Sequence, residues 1–268
     1  MAYFVLLLIV LLSGVVLFIY PAWRRKRLLQ SPFPKEWLHI LDSRLPHLRK
    51  LAQAERRQLF DYIKLFLAEK RFHGCAGLEV TEEMRVVIAA QACLLLLNRK
   101  TGVYPALRHI LVYPAMFSKE AEEWNEDGTV SNVHKELLGE SWQEGKVLLS
   151  WEDILYDLDN VDDGENVILH EFAHQLDAEN GSDNGTPLLR ANDPARWQRV
   201  MSQEFAALGA AVERGEETFL DPYAASAPAE FFAVLTETFF ELPEELRHWH
   251  PELYRELRQY YQVDPARW

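Results

Sequence analysis

The spacing of apolar residues predicts several amphipathic helices and a small sheet. Apolar positions recur every three to four residues over four stretches, which is the period of helices that bury one face. These stretches cover residues 35–72, with a break near 45–46, and residues 81–98, 196–212 and 227–242. Compact apolar runs at 109–113 and 146–151 are typical of strands. We therefore predict an α+β fold with a helical N-terminal part.

The first apolar run predicts a membrane-spanning helix. Residues 3–20 are almost wholly apolar, and about eighteen residues is the lower limit for crossing a hydrocarbon core of ~30 Å. A cleaved signal peptide is the alternative, but its basic residues would precede the run, whereas here they follow it at 24–27. The positive-inside rule then places the remainder in the cytoplasm. We expect an anchor at 1–22, a basic juxtamembrane linker at 23–34 and a catalytic domain at 35–268, in a single-pass protein of the inner membrane.

Composition limits the classes of partner. The formal net charge is −13, whereas a nucleic-acid surface needs clustered Lys and Arg, so we expect no nucleic-acid partner. Cys75 and Cys93 are the only cysteines, and they form neither a metal-type spacing nor a disulfide framework. Two isolated thiols suit a reducing compartment.

The strongest chemical signal is the H-E-x-x-H pattern formed by His170, Glu171 and His174. Residues four apart share a helix face, so the two imidazoles can bind one metal ion while Glu171 reaches the position of a bound water. A chance match is the alternative. The turn formers at 162–164 and the Asn180-Gly181 pair bound the segment as a helix of ordinary length, which favours a metal site.

A catalytic zinc site needs a third protein ligand. The extended H-E-x-x-H-x-x-G-x-x-H pattern would require Gly at position 177 and His at position 180, and it is excluded because this chain has Asp177 and Asn180 there. The helix predicted at 227–242 carries Glu230 and Glu237, seven residues apart, within an apolar run. Buried carboxylates are costly unless they coordinate metal or are paired. By this reasoning Glu230 and Glu237 remain nearly equal candidates.

Three segments carry a family resemblance: His170–Asp177, Asp221–Ser226 and Pro228–Val234. With them the chain resembles the Mlc titration factor A family of zinc peptidases, from about residue 41 to the C-terminus. The resemblance implies a zincin-like metallopeptidase domain of the gluzincin type. It implies that His170, His174 and Glu230 bind Zn²⁺ and that Glu171 is the general base.

The same resemblance suggests roles for three further residues. The family site is similar to that of the anthrax lethal factor catalytic domain, where a Tyr seven residues before the ligand Glu lies beside the metal; Tyr223 has that spacing here. Glu237 would then accept a hydrogen bond from a ligand imidazole, and Asp177 is another such acceptor. The alternatives are a packed aromatic at Tyr223, a local cap at Asp177 and an Arg partner for Glu237.

These observations predict a zinc-dependent metallopeptidase that hydrolyses peptide bonds in peptides or flexible protein segments. The run at 146–151 is a candidate edge strand for holding such a substrate, and an interior strand is the alternative. The second functional hypothesis is a regulatory protein that sequesters a transcriptional repressor of sugar metabolism, because a soluble member of the resembled family does so. A retained Glu171 favours the enzyme, since a structural zinc site needs no base.

Overall fold

The computed structural model describes residues 3, 20–99, 101–115, 122–124, 130–132, 145–182 and 184–268. Its helices are α1 (Tyr20–Gln30), α2 (Lys35–Arg44), α3 (Gln53–Glu69), α4 (Glu82–Leu94), α5 (Trp151–Asp159), α6 (Val167–Asp177), α7 (Pro194–Glu213), α8 (Pro228–Glu241), α9 (Pro243–Trp249) and α10 (Pro251–Tyr261). Its strands are β1 (Arg71–Gly74), β2 (His109–Tyr113), β3 (Glu122–Trp124), β4 (Val130–Asn132) and β5 (Lys146–Ser150). Short 3₁₀ turns cover Pro46–Lys50, Ala178–Asn180, Pro222–Ala225 and Pro265–Arg267.

The main sheet contains three parallel strands in the order β1-β2-β5. In the part of the chain that the structure describes, β5 therefore lies at an edge of this sheet. Alternate residues of β2 and β5 are buried, which gives one face to the core and leaves the other partly exposed. Strands β3 and β4 form a separate antiparallel pair.

The buried face of the sheet packs against helices that share one core. Phe172 of α6 contacts Phe66 of α3 and Tyr104, with ring centroids 5.7 and 4.9 Å apart. Helix α6 packs on β5, α4 and α8, and every residue of α8 from Ala229 to Phe239 is buried. The metal-motif helix is therefore held from several sides, which limits the movement of its side chains.

The predicted fold class, an α+β domain behind a membrane-spanning helix, is wrong. The structure is mostly helical with a small parallel sheet, and among the residues described no helix combines the length and apolar character needed to cross a bilayer. The same finding overturns the predicted location as a single-pass inner-membrane protein. Residues 4–19 of the expected span lie outside the described residues. The helix that is described next to it, α1, carries the basic run at 24–27, whose charges favour water.

Helix α1 also contacts the rest of the fold. The Lys64 amine of α3 is buried and donates hydrogen bonds to the carbonyl oxygens of Leu29 and Ser31, each at 3.0 Å. These carbonyls lie at the C-terminal end of α1, where backbone acceptors lack partners within the helix. The buried amine therefore fixes the end of α1 on α3.

Candidate metal centre

Helix α6 begins later than the turn residues suggested. Its N-cap is Asn166, whose side-chain oxygen accepts the backbone N–H of Leu169 at 3.0 Å. The predicted turn formers at 162–164 precede this cap, and Asp163 there accepts the N–H of Glu165. At the other end, Gly181 has a left-handed φ of 89°, which terminates the segment as predicted. These boundaries place the H-E-x-x-H residues in regular helix.

The structure brings His170, His174 and Glu230 together. The Nε2 atoms of the two imidazoles are 3.2 Å apart, and they lie 3.1 and 3.4 Å from Oε2 of Glu230. Among the described residues, this is the group of His, Cys, Asp and Glu side chains whose ligand atoms converge closely enough to hold a metal ion. A tetrahedral zinc ion bound at about 2.0–2.1 Å requires ligand atoms roughly 3.3 Å apart. The three side chains therefore fit zinc in both type and spacing.

The charges of this cluster favour a cation. Burial raises the pKa of Glu230, but hydrogen bonds with His170 and His174 outweigh this and hold the pKa well below its ordinary value. Burial lowers the pKa of His170, but the carboxylates of Glu237 and Glu230 outweigh it and raise that pKa well above its ordinary value. Without metal, the imidazoles and carboxylates of this cluster therefore hold a proton between them. A divalent cation would replace that proton at the same place.

Glu237 lies behind His170 and outside the converging group. Its Oε1 is 2.7 Å from Nδ1 of His170, and its Oε2 accepts the backbone N–H of Asn166 at 2.6 Å. One carboxylate therefore fixes both the His170 ring and the first turn of α6. A contact of this kind orients a ligand imidazole and selects its tautomer.

Glu171 and Tyr223 flank the cluster. Glu171 follows His170 in α6 and is 6% exposed. Tyr223 lies in the 3₁₀ turn before α8, with its ring centroid 6.3 Å from that of His170, and it is half exposed. Partial burial and the neighbouring Glu230 carboxylate raise the pKa of Tyr223. Its hydroxyl is therefore protonated at neutral pH and can donate a hydrogen bond.

Asp177 fixes a loop against α8. Its Oδ2 accepts the backbone N–H of Gly185 at 2.6 Å, and Asp177 is fully buried. Gly185 has a φ of +75°, and a Cβ atom there would lie 2.2 Å from the carbonyl oxygen of Pro228. Only glycine allows this approach. The contact joins the end of α6 to the start of α8, two residues before Glu230.

Two carboxylates near the first turn of α6, the buried Asp157 and the partly buried Glu241, were not identified from the sequence. Asp157 accepts the backbone N–H of Val167 at 2.8 Å, and Glu241 accepts the side-chain amide of Asn166 at 2.8 Å. Burial, reinforced by neighbouring carboxylates, raises the pKa of Asp157 to about 7 and that of Glu241 to about 9. The signal in the sequence was the four-residue spacing of Glu237 and Glu241, which places both on one helix face.

Comparison with known proteins gives a family and several relatives. The family model described as glucose-regulated metallo-peptidase M90 matches residues 20–262. An uncharacterized protein of Synechocystis sp. is 44% identical over 266 residues, which cover 97% of each chain. Mlc titration factor A of Klebsiella pneumoniae is 36% identical over 225 residues, covering 82% of this chain and 84% of that protein. The protein of the same name from Escherichia coli is 35% identical over the same shares.

Proposed function

Because the chain belongs to the glucose-regulated metallo-peptidase M90 family, as its sequence resemblance had indicated, we propose that it is a zinc-dependent peptidase. The observation that carries this proposal is the convergence of His170, His174 and Glu230, with nitrogen and oxygen atoms 3.1 to 3.4 Å apart. The donor set of two imidazoles and one carboxylate is that of catalytic zinc sites. Such sites leave a coordination position open for chemistry.

In this proposal His170, His174 and Glu230 hold the zinc ion, which supplies Lewis acidity and lowers the pKa of water. Glu171 takes a proton from the attacking water and returns it to the leaving amine. Its position next to His170 and its low exposure support this role, because they place the carboxylate near the proposed ion and out of bulk water. Glu237 keeps His170 in the tautomer that points Nε2 at the ion.

Tyr223 acts on the substrate carbonyl in this proposal. Hydrolysis of a peptide bond develops negative charge on the carbonyl oxygen, and a positioned hydroxyl donor stabilises it. The proximity of the Tyr223 ring to His170 supports this role, and its raised pKa keeps the donor proton in place. Its partial exposure leaves room for a substrate beside the ring.

The substrate of the proposed reaction is a peptide or a flexible protein segment. Such a segment can add as an extra strand to an exposed sheet edge and thereby satisfy its own backbone groups. Strand β5 supports this role because it lies at an edge of the described sheet and packs against α6. The alternative, an interior strand, would need pairing by residues outside the described part of the chain.

The test is metal-dependent hydrolysis. We expect the zinc-loaded protein to cleave members of a synthetic peptide mixture, as detected by mass spectrometry. Cleavage should stop after treatment with a chelator and dialysis, and stoichiometric Zn²⁺ should restore it. Persistence of cleavage in protein shown to be free of metal would contradict the proposal.

A binding role is the second candidate, because two of the relatives described above are named Mlc titration factor A. In this alternative the chain sequesters a transcriptional repressor and its peptidase activity is residual or absent. The Glu171→Gln variant separates the two. It should lose hydrolysis, whereas a protein whose only role is binding should retain its full function with Gln at this position.

A further inference from the structure

A cavity of about 280 Å³ is lined by residues 163–165 and 218–222 and by Val234, Thr238 and Leu242. Its base is formed by buried side chains, among them Leu220, Val234 and Thr238. The volume is near the lower end of the range for ligand pockets, so it suits one side chain better than a whole cofactor. None of the roles proposed above uses this cavity.

The cavity lies about one helical turn along α8 from Glu230. Val234 and Thr238 follow Glu230 by four and eight residues, so all three lie on one face of α8, at steps of about 6 Å along its axis. Two residues of extended peptide span a similar length, about 6.6 Å. The opposite wall contains Asp221, two residues before Tyr223. A peptide whose scissile bond lay at Glu230 would therefore carry a nearby side chain to the cavity.

The mouth of the cavity is acidic. Asp163, Glu165 and Asp221 are exposed and line it, and its described lining contains no Lys, Arg or His. Asp163 and Asp221 each use one oxygen to accept a backbone N–H, from Glu165 and Tyr223 respectively. These bonds hold the carboxylates in position at the mouth. A cation held there would meet negative charge from both walls.

Resting on the peptidase function proposed above, we infer that this cavity is a specificity pocket for a Lys or Arg side chain within two residues of the scissile bond. The methylene groups of such a side chain lie over the apolar base, and its charged head reaches the carboxylates at the solvent-facing mouth. Exposed ion pairs are individually weak, so those with Asp163 and Asp221 give a preference of about tenfold.

The experiment compares cleavage of peptides that differ at one position. A synthetic peptide mixture is digested by the zinc-loaded protein, and the residues around each cleaved bond are read by mass spectrometry. For the favoured position, kcat/KM is then measured with Lys and with norleucine, which has a similar length and no charge. The expected ratio is about ten for the wild type.

Charge-neutral variants test the pocket itself. The double variant Asp163→Asn, Glu165→Gln removes both charges, and its Asn side chain can still accept the backbone N–H of residue 165. The Lys-to-norleucine ratio should then fall to within about twofold of one. The matched control is Glu213→Gln, Glu245→Gln, which removes two exposed carboxylates that are not among the residues lining the cavity and should keep the ratio. A wild-type ratio near one, or a high ratio that survives the pocket variant, would overturn the inference while leaving the peptidase proposal intact.

A binding measurement decides the inference if no peptide is cleaved, a result that would by itself overturn the peptidase proposal. Fluorescence anisotropy would then compare labelled Lys and norleucine hexapeptides on the zinc-loaded protein. Tighter binding of the Lys peptide that disappears in the pocket variant supports the pocket. Equal binding of the two peptides contradicts it.

Discussion

Helix α8 carries glutamates at both of its ends, and they are held in opposite protonation states. Hydrogen bonds to His170 and His174 keep the pKa of Glu230 well below its ordinary value in spite of burial. Eleven residues further along, burial raises the pKa of Glu241 to about 9, and its hydrogen bond from the Asn166 amide only partly offsets this. The comparison shows that partners, more than burial, decide whether a buried carboxylate is ionised.

The two ends accordingly suit different tasks. At the Glu230 end the partners are imidazoles, which can exchange a shared proton for a metal ion. At the Glu241 end the partner is the side-chain amide of Asn166, the N-cap of α6, and the neutral Glu241 carboxyl group accepts its hydrogen bond. Glu237 lies between the ends and contacts both, through His170 and the Asn166 N–H.

The largest effect is expected at Glu171, beside the metal end. Glu171→Gln removes the proposed base but no proposed ligand, so kcat should fall by roughly 10²–10⁴-fold while zinc content stays the same. Initial rates on a cleaved peptide and metal analysis of the same sample test this. The control is Glu245→Gln, an exposed change on α9. Equal rates for Glu171→Gln and wild type would remove the general-base assignment.

The next prediction compares the two ends of α8 directly. Glu230→Gln replaces a proposed zinc ligand, so zinc affinity should fall at least about 100-fold, whereas Glu241→Gln should change it by less than about threefold. Competition with a chromophoric chelator measures both. Similar losses in the two variants would show that the ends of α8 do not differ in the way described here.

Glu237 should give an intermediate result. Glu237→Gln keeps an oxygen acceptor but loses the charge that faces His170, and substitutions of this kind typically cost 10- to 100-fold in metal affinity. The same chelator competition applies. A loss as large as that of Glu230→Gln would indicate that Glu237 is itself a ligand, which the sequence alone had left open.

The smallest effect concerns the pH dependence of stability at the far end. The pKa of Glu241 is about 9 in the folded state against an ordinary value of 4.5, so its stability contribution is complete below pH 4.5 and is lost as the pH rises towards 9. The Glu241→Gln variant has no carboxyl group to ionise at this position, so it does not lose this stability as the pH rises. Each pH unit between 4.5 and 8 corresponds to about 1.4 kcal/mol at most, and solvent screening of this partly exposed side chain reduces the total several-fold. At pH 8 the variant should therefore be about 1–2 kcal/mol more stable than the wild type, and at pH 4.5 nearly equal.

Urea unfolding of the metal-free proteins at several pH values measures this difference. Asp157, whose pKa is raised to about 7, should leave a residual slope between pH 4 and 7 in both proteins. Parallel stability curves for wild type and Glu241→Gln across this range would contradict the assigned state of Glu241.

The elements that pack on the core could be predicted from the sequence. Helix α8 and strands β2 and β5 lie where the apolar pattern placed them, because each buries a periodic face. Strand β1 was missed because Phe72 is the one large apolar side chain among its four residues. Its extended conformation depends on backbone pairing with β2, which the local sequence does not reveal. The membrane-spanning helix was inferred from local hydropathy alone, and the described helices do not support it.

Prediction from local sequence has the same limit at the candidate metal centre. The spacing of His170 and His174 fixed their common face, because that depends only on helix geometry. The choice between Glu230 and Glu237 could not be made from residue type or period, since seven residues also return to one face. It depends on how α8 crosses α6, which directs Glu230 to the Nε2 atoms and Glu237 to Nδ1 of His170. The role of Asp157 depends equally on the packing of α5 on α6.

The proposed function requires that His170, His174 and Glu230 bind one zinc ion. The most direct test is anomalous diffraction at the zinc absorption edge from crystals of the zinc-loaded protein. We predict one peak per chain, about 2.0–2.2 Å from Nε2 of each imidazole and from a Glu230 oxygen. Absence of a peak at these three side chains in zinc-saturated protein, or a peak held by Glu237 instead of Glu230, would contradict the account.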